Sequence, residues 1–191
     1  MKLVTAIAIA AAMLSIGHAA PEFTARNLKG ESVSLADFKG KVVVLEWVTF
    51  GCPFVSKHYK SGNMPSLQET YTAKEVAWLT INSSGKGKSG YHEPAKMAEI
   101  AAKEGNKASH FLMDTDGKIG KAYGAKVTPH MFIIGKDGKL AYDGAIDSKA
   151  SAKVEDVATA DKLFANALDA VLAGTEVPAA KNKPYGCGVK Y

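Results

Sequence analysis

The chain has 191 residues, 47% hydrophobic and 23% charged, an ordinary balance for one soluble globular domain with a real core. Its net charge of +5 does not point to nucleic acid, because all but one of the 24 cations are lysines, spread along the chain without an aromatic-rich basic stripe. Two cysteines in all exclude a disulfide-rich scaffold and leave room for one disulfide or one redox couple.

The chain begins with Met1-Lys2, an apolar run over 3–16 and the small-residue stretch Gly17-His18-Ala19-Ala20, the pattern of a secretory signal peptide over residues 1–19. The alternative, a membrane anchor, is disfavoured because the run falls short of the ~20 residues a spanning helix needs. No cysteine lies near the cleavage region to take a lipid. The expectation is a periplasmic or secreted protein without a stable membrane anchor, with a folded domain over 20–175 and a tail over 176–191 that carries Cys187.

Residues 23–28 and 32–35, joined by Lys29-Gly30, read as a β-hairpin. The continuous apolar run 42–48 predicts a strand buried on both faces, with Glu46 as its misfit. A helix follows Cys52. A second begins near Asn63, with Met64, Leu67 and Tyr71 at helical spacing. Strand 76–81 comes next, then a helix opened by Pro94 and stopped by Gly105, a short strand over 111–113, and a brief helix over 119–123. Residues 131–134 and 140–142 form a hairpin around Asp137-Gly138, which accepts the positive φ such turns demand. Leu163, Phe164, Ala167, Leu168, Val171 and Leu172 mark one face of a last helix ended by Gly174. The tail has turn composition. The order predicts an α/β fold in which a central mixed β-sheet is flanked by helices, with an N-terminal β-hairpin.

The chemistry concentrates at Cys52. Placed between a buried strand and a helix, its sulfur meets the unpaired N–H groups of a first helical turn, whose partial positive charge favours thiolate over thiol. Pro53 occupies the first helical position, where proline is favoured. Gly51 and Pro53 mark an exposed turn and not a core position, which argues against an inert buried cysteine.

Gly51-Cys52-Pro53-Phe54-Val55, the strand before it, and Val127-Thr128-Pro129 before another strand together resemble the thioredoxin superfamily. The N-terminal hairpin and the segment 40–45 resemble its alkyl hydroperoxide reductase and thiol-specific antioxidant branch, the peroxiredoxin-like proteins. The resemblance implies a thioredoxin-like fold and a thiol-dependent oxidoreductase with antioxidant activity. In that reading Cys52 attacks a peroxide or a disulfide. Pro129 matches the family's cis-proline, and Thr128 pairs with a substrate chain or shapes the pocket. Glu46, six residues before Cys52, matches a buried acid that exchanges protons with the site; the plain alternative is an edge-exposed carboxylate without a role. Thr49 matches the hydroxyl residue of the Pro-x-x-x-Thr-x-x-Cys motif, but Leu45 stands where its proline belongs. Val55 replaces the second cysteine of a Cys-x-x-Cys pair. No arginine follows the cysteine to match the family's activating one; Arg26 lies in the hairpin.

Cys187, in Pro184-Tyr185-Gly186-Cys187-Gly188, is the remaining thiol. Two readings stand: a resolving cysteine for a sulfenic acid or mixed disulfide on Cys52, or a static disulfide worth about 5 kcal/mol in the chain-entropy model. The expected partners are a thiol reductant or a disulfide-bearing protein, with a small peroxide as a further substrate. No cofactor and no metal is expected. The alternative from another class is a periplasmic thioredoxin-fold copper-binding or chaperone module without turnover, with Cu(I) held by thiolate and imidazoles such as His58 and His130.

Overall fold

The computed structural model describes residues 15–191. Most of the signal-peptide segment lies outside them. Residues 17–20 run along the sheet margin, where the Gly17 N–H donates to the Leu140 carbonyl and the Ala20 N–H to that of Gly138.

The expected hairpin is β1 (Thr24–Asn27) and β2 (Ser32–Ser34). The apolar run forms β3 (Val43–Trp47), after which Cys52 leads into α1 (Pro53–Lys60) and Gly62 precedes α2 (Asn63–Thr72). Asn63 is thus the first residue of its helix and not its cap. There follow β4 (Ala77–Asn82), α3 (Pro94–Glu104), β5 (His110–Met113), α4 (Lys118–Tyr123), β6 (Val127–Thr128), β7 (His130–Ile134), β8 (Leu140–Gly144), α5 (Leu163–Ala173) and β9 (Cys187–Gly188). Three features depart from the sequence reading. The hairpin strand stops at Ser34 and Leu35–Phe38 is a 3-10 helix, a second 3-10 helix covers Val154–Thr159, and the tail contains a strand where only turns were expected.

Seven strands form one mixed sheet in the order β2-β1-β5-β4-β3-β7-β8. β3 runs parallel to β4, and β4 to β5, while β7 is antiparallel to β3 and β8. Strand periodicity sorts the core. Val43, Leu45 and Trp47 pack with Leu79, Ile81, Phe132 and Tyr123 on one face. Val44 and Val48 pack with Cys52, Tyr59, Met64, Trp78 and Phe164 on the other. Both faces of the central strands are therefore dry, which is why β3, β4 and β7 are buried along their whole length. The same alternation puts Glu46 on the face that carries Cys52.

The C-terminal tail returns across the molecule. Asn182 accepts the Ala145 N–H at 2.8 Å and donates to the Tyr142 hydroxyl at 2.8 Å. β9 then pairs antiparallel with β6, Cys187 opposite Thr128, and the last hydroxyl, that of Tyr191, donates to the Ala125 carbonyl at 2.6 Å.

Candidate active site

Cys52 caps α1 with an extended backbone, φ −82° and ψ 123°. Its N–H donates to the Thr49 carbonyl at 2.8 Å, and its carbonyl accepts the Ser56 N–H at 2.9 Å. These bonds fix the sulfur at the helix N-terminus; the residue is only 2% exposed and packs in the core, contrary to the exposed turn expected, because the Thr128 loop and the tail cover it. The Thr128-Pro129 peptide bond is cis, and the Thr128 carbonyl accepts the Cys52 thiol at 3.1 Å. β9 places Cys187 on the same Thr128, so the loop before Pro129 carries one thiol on each side. The residues 52, 128, 129 and 187 singled out in the sequence thus form one cluster.

The two thiols share one proton economy. Burial pushes the Cys52 thiol up. Hydrogen bonds from the Cys187 thiol, the Val55 N–H, the Thr128 hydroxyl and the Cys187 backbone outweigh it and hold Cys52 below its ordinary value. Cys187 is pushed up to about 11 by its own burial and by the adjacent Cys52, against a smaller opposite pull from Lys190. Of the two, Cys52 is therefore the more acidic thiol, and Cys187 is the one that keeps its proton.

Thr49 meets Cys52 through its carbonyl. Its side chain packs toward Gly90 beside Ser84, where a Cβ on Gly90 would overlap it. Glu46 is fully buried, which rules out the edge-exposed alternative. Its carboxylate accepts from Tyr59, Gln68 and Trp78, each at 2.8 Å, and from Thr80 at 3.1 Å. Burial raises its pKa, and those four donors moderate the rise without cancelling it. Asn106 extends this network through Tyr59 and Thr80.

No local pattern signals a second polar cluster beside the thiols. Lys57, on α1, is 1% exposed and lies 3.1 Å from the Asp147 carboxylate. It donates to the Lys149 carbonyl at 2.8 Å and to the Tyr185 hydroxyl at 3.2 Å. The Tyr185 hydroxyl donates to Asp147 through a very short contact. His58 is buried and pushed down to about 4, mainly by burial, so it is neutral at pH 7. Asn63 donates to its Nδ1 at 2.9 Å, which leaves the proton on Nε2, 3.1 Å from the Tyr185 hydroxyl. Two residues before Cys187, the tail is thus bolted to the helix of Cys52, and the Tyr185 ring packs edge-on to Phe54. The only legible hint was the place of His58 on the helix begun by Cys52.

His130, the other imidazole considered for Cu(I), donates instead to Asp143 at 2.8 Å. Among the described residues no three His, Cys, Asp or Glu side chains are grouped to hold a metal ion. Arg26 donates to the Gly30 carbonyl within the hairpin.

Comparison with known proteins bears on the family and the fold. The family model described as Redoxin matches residues 15–163, ending before the tail that carries Cys187. A thiol-disulfide oxidoreductase ResA of Bacillus thuringiensis subsp. konkukian is 31% identical over 131 residues, covering 66% of this chain and 68% of the relative. The ResA of Geobacillus thermodenitrificans is 27% identical over 128 residues, covering 66% and 67%. An uncharacterized conserved protein from Geobacillus kaustophilus superposes with TM-score 0.78 at 28% identity over 94% of each chain. A secreted Mycobacterium tuberculosis disulfide oxidoreductase, homologous to E. coli DsbE, gives TM-score 0.50 at 27% identity over 62% of this chain and 79% of that one.

Proposed function

The chain belongs to the Redoxin family and is a thiol-dependent oxidoreductase, and we propose that it is an exported disulfide reductant working through a Cys52–Cys187 dithiol. The observation that carries this reading is the pairing of β9 with β6, which sets Cys187 against Thr128 and makes its thiol a hydrogen-bond donor to Cys52.

The steps follow from the charges. The Cys52 thiolate attacks one sulfur of a substrate disulfide, the other substrate sulfur leaves as thiolate, and Cys52 is held in a mixed disulfide. The negative charge beside Cys187 is then gone, and with it two of the causes that raise its pKa. Cys187 ionises more readily and attacks Cys52, releasing the second substrate thiol and closing the Cys52–Cys187 bond. Val55 excludes resolution within one helical turn, so the tail supplies the second sulfur.

Thr128 and Pro129 form the edge on which a polypeptide substrate docks. Glu46, on the Cys52 face with a raised pKa, serves as the buried proton acceptor. A disulfide fits this site better than peroxide: the sole arginine is in β1, where it donates to the Gly30 carbonyl, and Thr49 meets Cys52 through its backbone carbonyl. Export follows from the leader reading of residues 1–19, and among the described residues no helix is long and apolar enough to cross a membrane.

Non-reducing peptide mapping of the oxidised protein tests the couple, and an intramolecular Cys52–Cys187 peptide is expected. Cys52→Ser should fold yet reduce a protein disulfide such as that of insulin only at the background rate, because a hydroxyl is a poor nucleophile at neutral pH. Unchanged turnover of that variant would refute the proposal.

A further inference from the structure

The tail does more than deliver Cys187, because it also decides which sulfur faces solvent. Residues 185–187 lie over the start of α1, with the Tyr185 ring on Phe54, its hydroxyl in the Lys57–Asp147 pair, and Cys187 on Thr128. Beyond Cys187 the chain stays pinned: the Val189 N–H donates to the Lys126 carbonyl at 3.0 Å, and the Lys190 carbonyl accepts the Gly85 N–H at 2.8 Å. The strand edge at Thr128 is thus occupied by this chain's own tail. Cys52 is buried beneath it, while Cys187 is only partly buried.

We propose that in the oxidised protein electrons return through Cys187: an external thiolate attacks the Cys187 sulfur and Cys52 is the leaving group. This rests on the dithiol reading above. In the reduced state the tail is held by non-covalent contacts alone and can be displaced by an incoming substrate strand. Once the disulfide closes, the bond itself fastens the tail over Cys52, and the outward sulfur is the one open to attack. Substrate and reductant therefore meet different cysteines.

The balance is that of two successive exchanges. A thiolate RS⁻ and the Cys52–Cys187 disulfide give RS–S–Cys187 and the Cys52 thiolate; a second RS⁻ attacks the R sulfur of that mixed disulfide, giving RSSR and the Cys187 thiolate, which takes up a proton. Two electrons pass from two external thiols to the protein. The direction of cleavage agrees with leaving-group chemistry, because the more acidic of two thiols departs faster and Cys52 is held below its ordinary value while Cys187 is raised. The reductant this predicts is a thiol protein or small thiol that approaches the tail surface and leaves the Thr128 edge untouched.

The test uses the full-length oxidised protein and glutathione as the probe thiol. Peptide mapping first establishes the disulfide; if no Cys52–Cys187 peptide is found, the dithiol reading fails, and this inference with it. The mapped protein is then mixed with a limiting amount of glutathione, quenched with acid within the first turnover, and mapped again. Glutathione should be found on Cys187 with a free thiol at Cys52, in about tenfold or greater excess over the reverse product, the ratio expected when both access and leaving group favour one sulfur. Glutathione on Cys52, or equal labelling of the two, overturns the assignment while leaving the dithiol couple intact.

Discussion

Replacing Tyr185 by Phe tests whether the buried ion cluster is what brings Cys187 to Cys52. The change keeps the ring against Phe54 and removes one hydroxyl, which donates to Asp147 and accepts from Lys57 at 3.2 Å and from His58 at 3.1 Å. Bonds to charged partners are worth roughly 1.5–3 kcal/mol each and neutral ones roughly 0.5–1.5. Much is recovered, because Lys57 keeps Asp147 at 3.1 Å and the Lys149 carbonyl at 2.8 Å, while Asp147 keeps the Lys149 N–H at 3.0 Å. The His58 Nε2–H loses its partner. The net loss is about 2 kcal/mol. It falls on the tail, because α1 and the 147–149 loop remain tied to each other. Two kcal/mol is a factor of about 30 in an equilibrium constant. The effective concentration of Cys187 at Cys52 should drop by that factor, read as a shift in the glutathione ratio that half-oxidises the pair after acid quenching and mapping. An equilibrium unchanged to within about twofold, in a variant that folds as the parent does by circular dichroism, would refute the idea that Tyr185 positions the thiol.

Gly186→Ala should dislodge the same segment by another route: φ is 138° and a Cβ there would overlap the Thr128 carbonyl, so roughly 1–3 kcal/mol of strain should weaken the β6–β9 pairing and raise the alkylation rate of Cys52. Cys187→Ala removes a hydrogen-bond donor from the Cys52 sulfur, so the pH midpoint of Cys52 alkylation should rise, and reaction with a disulfide should stop at the mixed disulfide seen by mass spectrometry. Glu46 has a folded pKa above its unfolded value, so its contribution to stability is full below the ordinary value of 4.5 and is lost as pH rises through the folded value. Glu46→Gln should flatten that fall in a series of thermal melts from acid to neutral pH; an unaltered slope would show that another group carries it.

Local pattern determined much of this protein. The uninterrupted run before Cys52 requires a strand covered on both faces, the Gly51-Cys52-Pro53 turn requires a helix to begin there, and Asp137-Gly138 sets a hairpin. Each depends on the backbone and its immediate neighbours, which the sequence displays directly.

What the sequence could not show are the partners. Glu46 collects donors from α1, α2 and β4, and only the register of β3 against β4 brings Thr80 opposite it. Lys57 reads as an ordinary solvated lysine until the tail and the loop at Asp147 cover it, because a helical position is buried or exposed according to what packs on it. Cys187 is flanked by glycines and its two-residue strand is too short for any alternation, so its pairing with Thr128 exists only as a tertiary contact. The choice of Cys52 as the candidate nucleophile therefore rested on local information. Its acidity, its cover and its partner thiol are properties of segments that folding brings together from the two ends of the chain.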